Sequence, residues 1–291
     1  MQKIKTFTIL CLVLLLIAFA IVRVFVEKNL TMQVFNVMPT SNNIAFEDKT
    51  GDAYQLPFEV KTDGLAVNQP INHEGYSIYL QDISDYGCTL KIVYDPFRIP
   101  TGIVLTLLLI ILTTIALCEI RKMPLYFSIP ILVIFLTSTV WLWLKMRHGN
   151  IMPALKSWYF PFHVGVYITA YICAAATWIS ALFEQRKNVQ AGYGMPLLKT
   201  SICLLAIGMI LGSLWAKQCW GNFWTWDIKE NCALITLILF ILSTMPSFLC
   251  AQKSYRNRLT FVLLTLSLLA MLFTWKGIDL LPESITSLHR Y

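Results

Sequence analysis

Seven apolar segments, each about twenty residues long, constrain the fold of this chain more than any other feature of its sequence. A helix needs about 20 apolar residues to cross the hydrocarbon core of a bilayer. Such runs recur at roughly 6–26, 99–119, 124–144, 159–182, 197–216, 231–250 and 259–277. The mean hydropathy of +0.63 and the 13% share of charged residues also exclude an ordinary soluble domain. The sequence therefore predicts an all-α polytopic membrane bundle of about seven transmembrane helices.

The first apolar run has features of both a signal peptide and a membrane anchor. Lys3 and Lys5 precede it, and the tripeptide Ala-Phe-Ala at 18–20 resembles a cleavage site. Apolar residues continue beyond that site to Val26. This continuation favours an uncleaved transmembrane anchor over residues 1–26.

The long interval between the first two apolar runs, residues 27–98, has the pattern of short β-strands. Its segments YQLPFEV, GYSIYLQDI and TLKIVYD are rich in aromatic and β-branched residues and partly alternate between polar and apolar. Gly64, Gly75 and Gly87 mark turns around them. We expect a small β-domain, in which no spacing typical of a catalytic triad or a metal site occurs.

Basic residues sort to one side of the predicted bundle. A net charge of +7 could indicate a nucleic-acid partner, but in polytopic membrane proteins Lys and Arg mark the cytoplasmic loops. Here they follow the second, fourth and sixth apolar runs, at 121–122, 186–187 and 253–258. We therefore expect no nucleic-acid partner, an amino terminus in the cytoplasm and a carboxyl terminus outside. The regions predicted to face outward are 27–98, the loop around 145–158, the segment 215–230 and the tail 278–291.

The outward segment WAKQCWGNFWTWDIKE, residues 215–230, holds four of the nine tryptophans beside a charged end. Tryptophan gathers at membrane interfaces, so an aromatic belt is one interpretation. The other is a platform for a flat aromatic ligand, which the adjacent Asp227 and Lys229 favour because belt residues need no charged neighbours. If the segment is partly helical, Trp220 and Trp224 share one face.

The four histidines, His73, His148, His163 and His289, all fall outside or at the outer membrane edge in this topology. A lone histidine near a helix end is typically an interfacial hydrogen-bonding group. His163 and His289, however, flank the Trp-rich segment on the same side. Imidazole ligates haem iron axially, and indole rings stack on flat macrocycles. Haem is therefore the leading candidate ligand.

The segment GMILGSLWAKQCWGNFWTWDIKENCALIT resembles the signature of the haem-handling (WWD) proteins of cytochrome c assembly, in which W-G-x-x-W-x-W-D recurs. Its matching positions are Trp220, Gly221, Trp224, Trp226 and Asp227. Lys229-Glu230 extends the likeness to the CcsA/ResC-type branch of System II. The ending FTWKGIDLLPESITSLHRY is similar to that branch's carboxyl end, where a histidine lies in Leu-His-x-Tyr. His163 falls where the family places its other external haem ligand.

The β-rich segment adds a second resemblance. VNQPINHEGYSIYLQDIS followed by LKIVYDP resembles the extracytoplasmic part of the CcsB (ResB-like) partner, which is fused to CcsA in some proteins. The predicted domains are then an anchor at 1–26, a ResB-like extracytoplasmic β-domain at 27–98, a CcsA-like haem-handling core at 99–277 and an extracytoplasmic tail at 278–291.

The resemblance implies a multi-pass protein of the bacterial cytoplasmic membrane that binds non-covalent b-type haem. His163 and His289 would be the axial ligands of the haem iron, and the other implied haem-binding residues are Trp215, Trp220, Gly221, Trp224, Trp226 and Asp227. Such proteins present haem for thioether attachment to the CxxCH motif of apocytochrome c, and a thioredoxin-like thiol reductant is a further implied partner, besides membrane lipid. The likeness leaves open whether the chain is itself a holocytochrome c synthase, or cytochrome c haem lyase, and assigns no catalytic residue.

Three departures from the family pattern limit the resemblance. Ile228 replaces the usual proline, Asn231-Cys232 replaces a threonine-tryptophan pair, and Met245 stands near the position of a histidine inside the next membrane helix. The family's inner haem site thus lacks its ligands, and we expect one haem, at the outer surface.

The alternative is a non-haem scaffold or transporter subunit that retains the fold. Transporters place ionisable residues at mid-membrane, where the apolar runs carry none, which argues against ion transport but not against a scaffold.

Overall fold

A computed structural model describes residues 45–47, 53–55, 69–73, 75–84, 87–95, 98–148, 153–187, 194–250 and 252–280. The first apolar run at 6–26 and the tail residue His289 lie outside these ranges. The chain divides between Ile103 and Val104 into two compact units.

The described part of the first unit contains two small antiparallel sheets. Strands β1 (Ala45–Glu47) and β2 (Ala53–Gln55) pair with each other. Strands β3 (Ile71–His73), β4 (Tyr76–Ser84) and β5 (Gly87–Tyr94) form a second sheet in that order. The predicted small β-domain is therefore confirmed as a feature of the fold.

The register of the second sheet explains its turn glycine. Ile78 lies opposite Ile92 and both are buried, while the Tyr76 and Tyr94 rings contact each other with centroids 4.8 Å apart. Gly75, between β3 and β4, has a φ of 86°, and a Cβ there would lie 3.1 Å from the Tyr94 ring. Glycine suits this position because L side chains rarely adopt positive φ.

Hydrogen bonds tie this sheet to the beginning of the first described helix. The Arg98 guanidinium donates to Ser77 Oγ at 3.1 Å and to Asn72 Oδ1, and the Asp95 N–H donates to the Gly75 carbonyl at 2.9 Å. The strand pair β3–β4 and the first turn of the helix are thus joined through side chains.

Among the residues that the structure describes, seven α-helices follow: α1 (Arg98–Ile120), α2 (Leu125–His148), α3 (Tyr159–Lys187), α4 (Gly194–Trp220), α5 (Ile228–Leu242), α6 (Pro246–Leu249) and α7 (Lys253–Leu272). A π-turn, Phe273–Gly277, and a 3₁₀ turn, Ile278–Leu280, extend α7. Within the described ranges, six segments are long and apolar enough to cross a membrane, with α5 and α6 forming one of them. These six coincide with predicted runs, and the fold class is confirmed as a helical membrane bundle with a small β-domain.

The outer surfaces of the helices are those of a membrane protein. Large apolar side chains such as Leu107, Ile110 and Leu136 are more than half exposed, as expected where lipid replaces water. Hydroxyl groups on the same helices bond to their own backbone; Thr113, for example, donates to the Leu109 carbonyl at 2.7 Å. The Thr113 hydroxyl is therefore satisfied within its own helix, without water.

Helix α3 lies at the centre of the bundle, where it packs against α2, α4 and α7. Ala170 and Ala174 are fully buried along it, so neighbouring helices approach closely. Trp178 donates its indole N–H to Thr265 Oγ1 of α7 at 2.9 Å. The helix that carries His163 is therefore held on three sides.

Candidate functional site

The Trp-rich segment begins as helix and then turns sharply. Helix α4 continues to Trp220 and ends there because Gly221 has a φ of 86°, the left-handed conformation that terminates helices. The non-helical turn is confined to 221–227, a shorter loop than the predicted 215–230. The conditional expectation that Trp220 and Trp224 share a helical face is wrong, since the helix stops between them.

A buried lysine holds the end of α4. Lys217 is 7% exposed, and its ammonium donates to the Gly221 carbonyl at 2.9 Å and lies 5.3 Å from the centroid of the Phe223 ring. A carbonyl at a helix end has no N–H partner within the helix, so it needs such a donor when it is away from water. Lys217 was missed at the sequence level, although a lysine four residues before a helix-ending glycine is a recognisable signal.

Asp227 and Glu230 together begin helix α5. Asp227 is the N-cap and accepts from the Lys229 N–H at 2.8 Å, while Glu230 accepts from the Asp227 N–H at 3.2 Å. The Asp227 side chain also accepts from the backbone N–H of Glu230, so these two residues form a reciprocal capping box. Ile228 occupies the first helical position, where proline is common but not required, so replacement of the family's proline leaves the cap in place.

Glu230 also extends its contacts into the turn. Its carboxylate accepts from the Thr225 N–H at 2.8 Å and from the Thr225 hydroxyl at 3.2 Å, and the residue is 9% exposed. One buried carboxylate thus fixes the residues on both sides of Trp226. Sequence analysis included Glu230 only as part of the family match and did not anticipate this role.

Trp226 is displayed in an unusual conformation. Its φ is 59°, which is unfavourable for a bulky residue, and no other non-glycine residue among those described has a positive φ. The Asn231 amide donates to the Trp226 carbonyl at 2.8 Å, so another departure from the family pattern helps to hold the turn. The Trp226 side chain is 46% exposed and meets the Trp224 ring edge-on, with centroids 6.0 Å apart. Strain of this kind clusters at ligand-binding sites.

Two buried polar atoms of the turn lack a hydrogen-bond partner within the described chain. They are the indole Nε1 of Trp224 and the side-chain Oδ1 of Asn222. An unsatisfied buried polar group costs about 1–3 kcal/mol. A polar ligand group or ordered water at the turn would remove that cost.

His163 lies in the second turn of α3, and the tautomer of its neutral ring follows from one contact. Its Nδ1 is 2.8 Å from the Gly208 carbonyl oxygen of α4. Because a carbonyl only accepts, Nδ1 carries the proton, and in the neutral ring the lone pair is on Nε2. Of the two ring nitrogens, Nε2 is therefore the one with the electron pair that metal ligation requires.

Aromatic rings connect His163 to the Trp-rich segment. The centroid of the His163 ring lies 5.7 Å from that of Trp215, which is fully buried, and the Trp215 ring lies 4.9 Å from Trp220. Phe160 packs against Trp215 at 5.3 Å. The structure thus brings His163, Trp215 and Trp220 into one cluster, with Gly221 and the Trp224–Trp226 pair continuing from it along the chain.

The carboxyl-terminal part of the described chain returns to this region. Lys229 at the beginning of α5 forms an ion pair with Asp279 at 3.1 Å, and Lys276 lies 3.7 Å from the other carboxylate oxygen. The tail that carries His289 therefore begins beside the Trp-rich turn.

Met245 lies far from this cluster. It occupies the break between α5, which ends at Leu242, and α6, which begins at Pro246. Helix α5 has 15 residues and is about 22 Å long, which separates Met245 from the Trp-rich turn at the other end of that helix.

These features define a polytopic membrane protein with a capped, Trp-rich turn beside a half-buried histidine. Residues 99–282 match the family model described as Cytochrome C assembly protein. Because this match covers more than half of the chain, the protein belongs to that family. The match begins at residue 99, so the ResB-like character of residues 27–98 stays a prediction.

Curated relatives match over shorter regions. The chain is similar to the cytochrome c biogenesis protein CcsA of Pyropia yezoensis, with 34% identity over 29% of this chain and 25% of that protein. It is 24% identical to CcsA of Chlamydomonas reinhardtii over 47% of this chain and 42% of that protein. Protein NrfI of Wolinella succinogenes is 30% identical over 32% of this chain and 12% of its own length. The chain thus spans less than half the length of these relatives, and no solved structure matches it.

Proposed function

We propose that this protein acts in cytochrome c assembly by binding haem at the Trp-rich end of its bundle and presenting it to apocytochrome c. The observation that carries the proposal is the His163 imidazole, whose Nδ1–H is directed to the Gly208 carbonyl while its ring contacts the tryptophan cluster. Orienting the non-ligating nitrogen through a backbone carbonyl is typical of metal-ligating histidines. Membership of the Cytochrome C assembly protein family supports the same role.

The residues of the turn fit haem in three respects. His163 offers Nε2 to the iron, Trp224 and Trp226 offer flat apolar rings, and Trp224 Nε1 is a buried donor without a partner in the described chain. A flat macrocycle with carboxylate groups matches this combination. When bound, haem supplies the vinyl groups to which the two thiols of a CxxCH motif add to form thioethers.

Each predicted site residue has a distinct part in this proposal. His163 and His289 are the axial ligands, and Trp220, Trp224 and Trp226 line the haem. Trp215 is fully buried and packs beside the His163 ring. Gly221 and Asp227 shape the turn, through the helix end and the capping box respectively.

The proposed setting is the bacterial cytoplasmic membrane, surrounded by lipid. The amino terminus lies in the cytoplasm, and the β-domain, the Trp-rich turn and the tail lie outside, because Lys and Arg concentrate in the opposite loops. Apocytochrome c is then met outside the cytoplasm. A thioredoxin-like reductant would keep its CxxCH cysteines as thiols, which thioether formation requires.

The absorbance spectrum of the purified protein tests haem binding. After expression under haem-replete conditions, we expect one haem per chain with the narrow low-spin bands of a six-coordinate, bis-imidazole iron. His73→Ala, a histidine substitution in β3, should leave the spectrum unchanged. Wild-type protein that carries no haem would favour the non-haem scaffold role instead.

Coexpression with a CxxCH-containing apocytochrome c tests presentation. We expect haem that stays attached to the cytochrome after denaturation, which marks thioether bonds, and much less when His163 is replaced by alanine. Reconstitution of the same reaction with purified components would establish a holocytochrome c synthase activity. Haem binding without any attachment would limit the function of this chain to haem storage or transport.

A further inference from the structure

Helix α4 approaches His163 at two glycines one helical turn apart. Gly208 supplies the carbonyl oxygen that accepts the His163 Nδ1–H. A Cβ at Gly212 would lie 2.7 Å from Cε1 and 2.9 Å from Nδ1 of the imidazole, closer than real Cβ contacts. The ring therefore occupies the space that a side chain at 212 would need.

Two aromatic rings complete the surroundings of the imidazole. Tyr167 meets it edge-on with centroids 5.0 Å apart, and Trp215 lies 5.7 Å away at 34°. Tyr167 is itself seated against Gly208, where a Cβ would lie 2.8 Å from its ring. The imidazole is thus bounded by Gly212, Tyr167 and Trp215, and small displacements of any of them shift its ring.

We propose, on the basis of the haem-binding function proposed above, that Gly212 is a positioning residue for His163. The missing side chain at 212 sets how closely the imidazole approaches α4 and thereby keeps Nδ1–H on the Gly208 carbonyl. That hydrogen bond holds the lone pair on Nε2 and fixes the direction in which it points. Loss of such an orienting contact typically weakens metal binding about 10- to 100-fold.

Gly212→Ala tests this role, with Gly102→Ala as the matched control. A Cβ at Gly102, also within a helix, meets nothing within 4 Å. We expect Gly212→Ala to weaken haem binding about 10- to 100-fold and to reduce the low-spin bands, while added imidazole restores those bands by filling the vacated axial position. Gly102→Ala should behave as wild type. An unchanged spectrum in Gly212→Ala, or a loss that imidazole does not restore, would overturn the proposal.

A thermal double-mutant cycle gives a readout that does not need haem. Alanine is intrinsically the better helix former, so the sign of the Gly212→Ala effect reveals the clash. With His163 present, the substitution should lower the melting temperature of the detergent-solubilised protein. In a His163→Ala background it should leave the melting temperature unchanged or raise it. Equal losses in both backgrounds would mean that the side chain at 212 does not act through His163.

Failure of the proposed function is distinguishable from failure of this inference. Wild-type protein without haem, or full haem retention in His163→Ala, contradicts haem ligation by His163 and with it the positioning role. Haem that depends on His163 but not on the residue at 212 contradicts only the positioning role.

Discussion

Charged side chains at the two ends of helix α4 have different kinds of partner. Near the amino-terminal end, Glu119 lies 2.5 Å from Lys122 and 3.9 Å from Lys199, so charges from α1, the following turn and α4 pair with one another. At the carboxyl-terminal end, Lys217 and Glu230 bond to backbone atoms of the Trp-rich turn. The first arrangement joins regular helices, whereas the second maintains an irregular segment.

The difference has a physical origin. In a regular helix the backbone satisfies its own hydrogen bonds, so charged side chains are free to pair with one another. Non-helical backbone next to a bilayer must find other partners, and Gly221, Thr225 and Asp227 find them in the two charged side chains. Charge at this end is therefore used to preserve the shape of a turn that displays a strained, exposed tryptophan.

The largest effect is expected from removing the proposed haem ligands, which lie at only one of the two ends. Replacing His163 and His289 together with alanine should abolish haem binding, because these two imidazoles are the proposed axial ligands. No ligand is proposed at the other end of α4, beside Glu119. Haem content per chain, measured as the pyridine haemochrome, checks this. Imidazole in the buffer should restore part of the binding, and Glu119→Gln should bind as wild type. Full haem content in the double variant would show that the ligand assignment is wrong.

Side-chain labelling tests which end faces outward, and its expected result is all-or-none. In a cysteine-free background, single cysteines at Asn222 and Ser287 should react with an impermeant thiol reagent in intact cells, because both positions lie on the side proposed to be extracytoplasmic. A cysteine at Lys122, whose side chain is 56% exposed at the other end, should be protected until the membrane is opened. Labelling of position 122, or protection of 222 or 287, would invert or break the proposed topology.

Glu230→Ala should have the next largest effect, because its carboxylate holds the Trp-rich turn in shape. It leaves the Thr225 and Asp227 N–H groups without their acceptor, which we expect to destabilise the protein by about 1.5–3 kcal/mol and to lower haem occupancy. Asp227→Ala removes only the cap and should cost about 1 kcal/mol, with a smaller fall in haem or cytochrome c yield. Urea or thermal unfolding of the solubilised protein and its haem content measure both. Unchanged haem in both variants, with normal amounts in the membrane, would favour the aromatic-belt interpretation.

Trp226→Ala should weaken haem binding about 2- to 10-fold, which corresponds to the loss of one stacking contact of about 0.5–1.5 kcal/mol. Stability should not fall, because the ring is exposed and its φ of 59° is easier for a small residue to adopt. Trp141→Ala on α2, where the side chain is 57% exposed, is the matched control and should bind haem normally. Equal effects of the two substitutions in haem titrations would mean that both tryptophans serve as membrane anchors.

Met245→Leu should have the smallest effect. The thioether lies at the far end of α5 from the turn, so replacing it with a side chain of similar volume should leave the haem spectrum unchanged. A loss of haem absorbance would place a ligand at that end and contradict the single site proposed here.

Much of the bundle could be predicted from local pattern. The predicted run at 99–119 became Arg98–Ile120, and the sixth run became the broken span 228–249. Helix ends were less predictable: α3 extends to Lys187, and α4 continues through the first part of the Trp-rich segment to Trp220. The length of an apolar run is set by bilayer thickness, whereas the end of a helix depends on capping contacts such as those of Gly221.

The amino-acid sequence by itself determined the membrane class, the small β-domain, the signature positions and the family likeness, because hydropathy, alternation and motif spacing are local properties of the chain. Only the tertiary structure decided which atoms meet. The His163 Nδ1–H reaches a carbonyl 45 residues away, and Glu230 closes a turn around a residue with positive φ. Neither contact leaves a periodic signal in the sequence, because each depends on how two helices pack or on one residue's backbone angle, and both are settled only when the bundle assembles.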